Sequence, residues 1–275
     1  MKKLRNIIIC TLITSFIFSI NAFAIDKIIP ISIKINDDFI IMDTEPTIIN
    51  NEVYVPLRFV ANALNAEVIW DGTTRKITIK DNERIIEFLL DSTVVTINEE
   101  QHEIESILPV INNRTMVPIK FVAEHMNCQV NYNKQTYTVE IIREGLTVPT
   151  MSVYDRGYTD EDLHLLAKIV TVEAHNIGFD AKVAVANVVL NRKKSSKFPN
   201  TVEGVIFDKK YCVQFPPAHK SSFNKKVPSN DSIIAAKMAL EGANNISDCL
   251  FFNHSPFKSK AKDFYKKIDG EYFYH

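Results

Sequence analysis

Apolar and polar positions follow two rhythms along this chain. Between residues 33 and 142, Ile, Val, Thr and aromatic side chains alternate with polar ones in short runs broken by Asn-Asn, Asp-Gly and Pro. A period of two predicts strands buried on one face. At Val55-Pro56 and again at Val117-Pro118 the spacing turns briefly helical. Proline suits the first turn of a helix, because its φ is already helical and its missing N–H has no partner to lose there. From residue 159 the period becomes that of an α-helix, with Leu163, Leu166, Ala167, Val170 and Ala174 on one stripe. Thr159 is the expected N-cap, and Asp160, Glu161 and Asp162 fill the first turn, where acids oppose the helix dipole. Gly178 ends that stretch. Ala181 to Leu190 is then apolar almost all round, with small Ala184 and Ala186, which predicts a central helix that others approach closely. A loop at Pro199 leads into TVEGVIF, and residues 208–228 lack periodicity. A third helix runs from a Ser229 or Asn230 cap to a Gly242 stop. CLFFNH and EYFYH read as short closing strands. The fold class expected is α+β in two domains, a strand/helix repeat module followed by a mostly helical one.

The first module repeats itself. NNEVYVPLRFVANALNAEVIWDGTTRKITIK, from Asn50, recurs from Asn112 as NNRTMVPIKFVAEHMNCQVNYNKQTYTVEII, at a constant offset of 62 residues. Arg58-Phe59-Val60-Ala61 answers Lys120-Phe121-Val122-Ala123, and Trp70 answers Tyr132. Each unit should form a strand, a proline-opened helix and a hairpin, with RIIEFLLDSTVVTINEEQHEIE adding strands between them. Neither copy gathers convergent acids, a nucleophile with a base, or close histidines. Periodicity lapses over residues 147–158, around Pro149 and Gly157, and this stretch reads as a linker to a domain over 159–275.

The amino terminus sets the compartment. Lys2, Lys3 and Arg5 precede an apolar run from Ile7 to Ile20, and Ala22-Phe23-Ala24 follows as a small-x-small cleavage signal. Residues 1–24 therefore read as a secretory signal peptide, its apolar run short for a membrane span. Cys10 lacks a lipoprotein-type cleavage box. No later stretch is long and apolar enough to cross a bilayer, so a mature protein without an integral span is expected outside the cytoplasm. Cys128, Cys212 and Cys249 are too few and too scattered for a disulfide framework or a zinc site. A Cys212–Cys249 pair and buried free thiols both remain open. Residues 25–158 carry 12 Lys and Arg against 20 Asp and Glu, whereas residues 159–275 carry 17 against 13. The mildly basic second half would be drawn to a polyanion such as bacterial wall. No nucleic-acid partner is expected.

Glu173 is the first candidate for chemistry. It stands beside the apolar stripe, three residues after Val170. An acid held against apolar neighbours resists ionisation and keeps its proton toward neutral pH, which is what a general acid donates to a leaving oxygen. The same position also suits a helix-edge Glu reaching water or a Lys, so the pattern alone leaves both open.

EAHNIGFDAKVAVANVVLNRKKSSKFPNTVEGVIF, with Gln214-Phe215 and Phe251-Phe252-Asn253 further on, resembles the SleB-type cell wall hydrolase family, the catalytic domain of spore cortex-lytic enzymes. The likeness runs from about Leu163 to the C-terminus. It implies a lysozyme-related, mostly helical fold, a peptidoglycan-cutting enzyme in the cell wall or spore envelope, and no metal or cofactor. It also implies that Glu173 is the catalytic acid and that Gln214, Phe215 and Asn253 line the substrate cleft. Asn191, on the central helix, needs a polar partner and either touches sugar or orients a loop. Phe252, Tyr272 and Tyr274 suit stacking on pyranose faces or packing in the core. Two departures stand out: Ile177 replaces a family Glu, removing a polar group of the cleft, and Lys182 replaces a Gln. The repeat, from Ile33 to Ile142, resembles the copper amine oxidase N-terminal-like domain. That likeness implies a non-catalytic α+β module, serving as a spacer or as a contact to wall or accessory protein, and the oxidase's tyrosine and histidine ligands have no counterpart here.

A glycosidase that uses water generally needs two carboxylates, whereas a lytic transglycosylase works with one. Glu203, Asp180, Asp208 and Glu271 are the candidates for a second, and each reads as a solvated surface acid. Lytic transglycosylation between N-acetylmuramic acid and N-acetylglucosamine is therefore expected, with hydrolysis as the alternative. His164, His175, His219 and His254 raise zinc catalysis, but two histidines four apart around a Glu are absent. Ile177 and Lys182 also leave room for a degenerate, wall-binding protein.

Overall fold

The computed structural model describes residues 29–210 and 212–275, so the signal segment over 1–24 lies outside the described residues. Among the described residues no helix is long and apolar enough to cross a membrane.

In each repeat a strand ends on the proline that opens a helix. Glu52–Pro56 leads into α1 (Leu57–Ala63), and Arg114–Pro118 leads into α2 (Ile119–His125). The two strands pair antiparallel, with Val55 opposite Val117, Met116 opposite Pro56 and Pro118 opposite Tyr54. That register exchanges equivalent residues, so the copies meet about a local twofold axis. Each helix is followed by a hairpin, Glu67–Asp71 with Lys76–Lys80 and Gln129–Asn133 with Thr138–Ile142. The first hairpin continues as a meander through Ile85–Leu89, Val94–Ile97 and Glu100–Glu103. The second is extended by parallel pairing with Ser32–Ile35. Both sets of inward-facing residues, among them Ile35, Val55, Val60, Ile86, Val117 and Ile141, share one core.

Residues 147–158 are pinned rather than free. Thr150–Ser152 makes one 3-10 turn, Val153 bridges Ile40, and the Tyr154 N–H donates to the Phe39 carbonyl. The Arg156 guanidinium lies 4.3 Å from the Phe39 ring and 4.1 Å from that of Tyr158, which is buried in the second core. A second tie is polar: buried Lys237 donates to Ser32 Oγ at 2.6 Å and pairs with Glu241 at 3.2 Å.

Among the described residues the second half is built on five α-helices: α3 (Asp160–Glu173), α4 (Phe179–Lys194), α5 (Val202–Ile206), α6 (Ser221–Asn224) and α7 (Asn230–Leu240). The all-apolar segment behaves as its pattern predicts, for α4 is buried continuously from Ala181 to Arg192. TVEGVIF forms α5, its start fixed by the Thr201 hydroxyl accepting the Gly204 N–H. A three-stranded antiparallel sheet, ordered Phe251–Asn253, Glu271–Tyr274 and Phe264–Ile268, closes against α4. Its edge strand Phe264–Ile268 has four exposed residues in succession. It carries no alternation, and the pattern did not reveal it. The architecture is α+β with a core in each half.

Candidate active site

The helix that carries Glu173 begins with a reciprocal cap. Thr159 Oγ accepts the Asp162 N–H at 3.0 Å, and the Asp162 carboxylate accepts the Thr159 N–H at 3.0 Å. Each bond satisfies a donor that a helix start otherwise leaves unpaired. Glu173 is the last residue of α3, at the turn into α4. Two side chains hold that turn. Lys182, itself buried, donates from Nζ to the carbonyls of Ala174 at 2.8 Å and Ile177 at 2.6 Å. The Asp269 carboxylate lies against the Cα of Gly178, where a Cβ would collide with it. Lys182 is thus a clamp on the chain directly after Glu173, and Ile177 packs against the core rather than opening as a polar cleft position.

Glu173 is half-buried, and its Oε1 is out of contact with solvent and has no hydrogen-bond partner. Burial pushes its carboxyl above the usual carboxylate range; Arg192 opposes that rise and Glu271 adds to it. Arg192 comes from the C-terminal end of α4. Its Nε donates to the Leu250 carbonyl at 2.8 Å, while Nη1 is buried without a partner. Its guanidinium is caged by the rings of Phe215, Phe198 and Phe251, at 5.0, 5.2 and 5.7 Å. Burial pulls its pKa down to about 10, against the fields of Cys212, Asp208 and Glu173. Glu271, at the start of the central sheet strand, is only 6% exposed and accepts from or pairs with exposed His254 at 3.1 Å between Oε1 and Nδ1. The site therefore presents an acid biased toward its protonated form, a desolvated cation, and a second buried carboxylate.

Several expectations need correction. Asn191 does not face sugar: it is buried, and its amide donates to the carbonyls of Ser247 and Cys249, both at 2.9 Å, tying α4 to the sheet. Phe215 is 1% exposed and packs in the second core beneath Arg192, so its ring has no free face for a pyranose. Tyr274 is equally buried, with its hydroxyl accepting the Phe257 N–H at 3.0 Å. Glu271 and Asp208 are buried rather than solvated, whereas Glu203 and Asp180 are exposed. Of the remaining candidates, half-buried Gln214 points its amide at Cys212 Sγ, 3.2 Å away, and half-buried Asn253 donates to the Ser255 carbonyl at 2.8 Å. Half-buried Phe252 stacks on Phe273 with centroids 6.1 Å apart. Arg192 is the group that sequence reasoning missed, and Glu271, a candidate for the second carboxylate, was misplaced on the surface. For Arg192 a signal existed: a helix apolar all round leaves its terminal Arg no solvent face. Among the described residues no group of three His, Cys, Asp or Glu is placed to hold a metal ion, and Cys128, Cys212 and Cys249 are free thiols.

Residues 177–274 match the family model described as Cell Wall Hydrolase, and residues 34–141 match the Copper amine oxidase N-terminal domain. The C-terminal half thus carries a cell-wall-hydrolase domain, behind a copper amine oxidase N-terminal-like domain. Glu173 lies just upstream of the matched stretch. Among individual relatives, the spore cortex-lytic enzyme of Oceanobacillus iheyensis is 45% identical over 60 residues, 22% of this chain and 21% of that protein. The spore cortex-lytic enzyme of Bacillus subtilis is 46% identical over 52 residues, 19% of this chain and 17% of that one. The chain thus matches about a fifth of the length of these curated relatives. The catalytic domain of the germination-specific lytic transglycosylase SleB from Bacillus anthracis aligns at 28% identity over 44% of this chain and 100% of that one, with a TM-score of 0.39.

Proposed function

We propose that the protein is a secreted lytic transglycosylase that cuts peptidoglycan between N-acetylmuramic acid and N-acetylglucosamine, with spore cortex as its wall. The observation that carries this reading is half-buried Glu173, whose Oε1 is buried without a partner, just before the stretch that matches the cell-wall-hydrolase model. Glu173 gives its proton to the glycosidic oxygen as the bond from that oxygen to C1 of the muramoyl residue breaks. The carboxylate then takes the proton of the same residue's C6 hydroxyl as that oxygen bonds to C1, which leaves a 1,6-anhydro end and restores the protonated acid. Arg192 supports the step in which Glu173 is anionic, since a fixed cation in a desolvated site stabilises charge that develops there.

Buried Glu271 favours a second reading, in which it activates a water and the products carry ordinary reducing ends. Mass spectrometry of fragments released from purified peptidoglycan separates the two. Anhydromuramic ends are expected, with Glu173→Gln removing activity and EDTA leaving it intact. Reducing ends would give the reaction to hydrolysis, and activity surviving Glu173→Gln would sink the general-acid assignment. Wall binding without any released fragment would mean a degenerate domain.

A further inference from the structure

The local twofold of the N-terminal module has built the same groove twice. One groove, of about 130 Å³, is lined by Arg58, Val68, Trp70 and Ile77 of the first repeat, with Asn113 and Thr115 reaching across from the second. The other, of about 480 Å³, is lined by Lys120, Val130, Tyr132 and Val139 of the second repeat, with Asn51 and Val53 reaching back from the first. Every one of these pairs is separated by the repeat offset of 62 residues. The exchange of partners follows from the antiparallel Val55–Val117 register, which carries each Asn-Asn turn onto the other copy. Asn50, Asn51, Asn112 and Asn113 all take positive φ, between 49° and 66°, as two-residue hairpin turns require. At two equivalent positions the linings differ in kind: Trp70 and Arg114 in the first groove stand where Tyr132 and Glu52 stand in the second.

Each groove holds a large ring that the core does not use. Trp70 is 49% exposed and Tyr132 41%, while Ile77 and Val139 at the base of the grooves are buried. Beside each ring stand an exposed base on the first turn of a helix, Arg58 or Lys120, and an exposed turn amide, Asn113 or Asn51. A flat apolar ring stacks on the C–H face of a pyranose, an amide pairs with an N-acetyl group, and a base meets a carboxylate. Together these recognise an acidic amino-sugar chain. The module as a whole is acidic, with 12 bases against 20 acids over residues 25–158. Long-range attraction therefore works against an anionic polymer, and short-range stacking with the local bases, Arg58 and Arg114 in one groove and Lys120 and Lys134 in the other, must hold it.

We propose that the N-terminal module carries two equivalent glycan-binding grooves, centred on Trp70 and Tyr132, that hold the wall's own amino-sugar strand while the C-terminal domain cuts it. The choice of ligand rests on the wall-cleaving reading above. Trp70 is the chain's single tryptophan, so its emission reports on one groove alone. The whole mature protein is titrated with peptide-free glycan strands prepared from peptidoglycan, and with chitohexaose as an uncharged control. A saturable change in tryptophan emission is expected, along with retention on insoluble wall that resists added salt. Trp70→Ala and Tyr132→Ala should each weaken retention about tenfold and the double variant about a hundredfold, as loss of one stacked ring per site implies. Cleavage of short soluble fragments should be unchanged in both. Arg58→Ala with Lys120→Ala should weaken binding of the acidic strands severalfold and spare chitohexaose. Tryptophan emission that stays constant while the protein saturates the wall would overturn the proposal. So would a folded double variant retained as well as its parent, which would give retention to the basic half or to a protein partner. A normal tryptophan response in a protein without catalysis removes the enzymatic reading and leaves the grooves standing.

Discussion

Replacing Lys182 by Met tests whether the turn behind Glu173 is held by an ammonium. The lysine is 7% exposed and donates at 2.8 and 2.6 Å to the Ala174 and Ile177 carbonyls, so water cannot take over both bonds when it is removed. Each buried carbonyl left unpaired costs about 1–3 kcal/mol. Methionine fills much of the same volume and removes the desolvation cost of a buried charge, which offsets part of that loss. The net destabilisation should be about 2–4 kcal/mol, or a fall in Tm of roughly 10 °C or more for a domain of this size. Glu173 is the residue immediately before the clamped turn, so kcat should fall further than the loss of folded protein explains, with the products unchanged. Lys182→Gln, which restores the residue of the SleB-type pattern, keeps an amide donor and should fall between the two. Calorimetric melts and initial rates on wall fragments provide both readouts. A Lys182→Met protein as stable and as active as its parent would refute the clamp.

Three further outcomes follow from the same geometry. Glu173 is raised above its ordinary value of 4.5 by burial, so the folded protein keeps a proton that the unfolded chain has lost. Its contribution to stability is full below pH 4.5 and is lost as pH rises through the folded value, so Glu173→Gln should match the parent's Tm near pH 4 and exceed it at pH 7–8. Phe215→Ala should cost about 3–5 kcal/mol in the melt, as buried Phe truncations do, with KM unaffected; a raised KM at unchanged Tm would restore the sugar-stacking role. Glu271→Gln removes a charge that helps hold the proton on Glu173, so the alkaline limb of the kcat/KM profile should move to lower pH. An unmoved limb would mean that the two carboxylates do not communicate.

Which of these features the sequence discloses depends on whether they leave a periodic or a repeated mark. The proline-opened helices, the repeat and the capped start of α3 are local, and the residues that form them are contiguous, so pattern alone places them. The buried stretch of α4 is equally plain, because no polar face interrupts it from Ala181 to Leu190. The site is different, since its electrostatics come from residues far apart in the chain. Glu271 opens a short aromatic strand, EYFY, and nothing local distinguishes a buried acid there from an exposed one. It is buried because the sheet closes over α4, with the Asp269 carboxylate against Gly178 bringing the hairpin to the turn that follows Glu173. The same long-range packing reverses the aromatics and amides: Phe215, Tyr274 and Asn191 have the residue types of a sugar cleft, yet each is spent on the core or on a loop carbonyl. Exposed rings stand in both halves, at Trp70 and Tyr132 in the acidic module and at Phe264 and Tyr265 on the edge strand of the closing sheet. If the grooves hold glycan, the polar ties at Lys237 and Arg156 that join the halves set how far from the held strand Glu173 can cut.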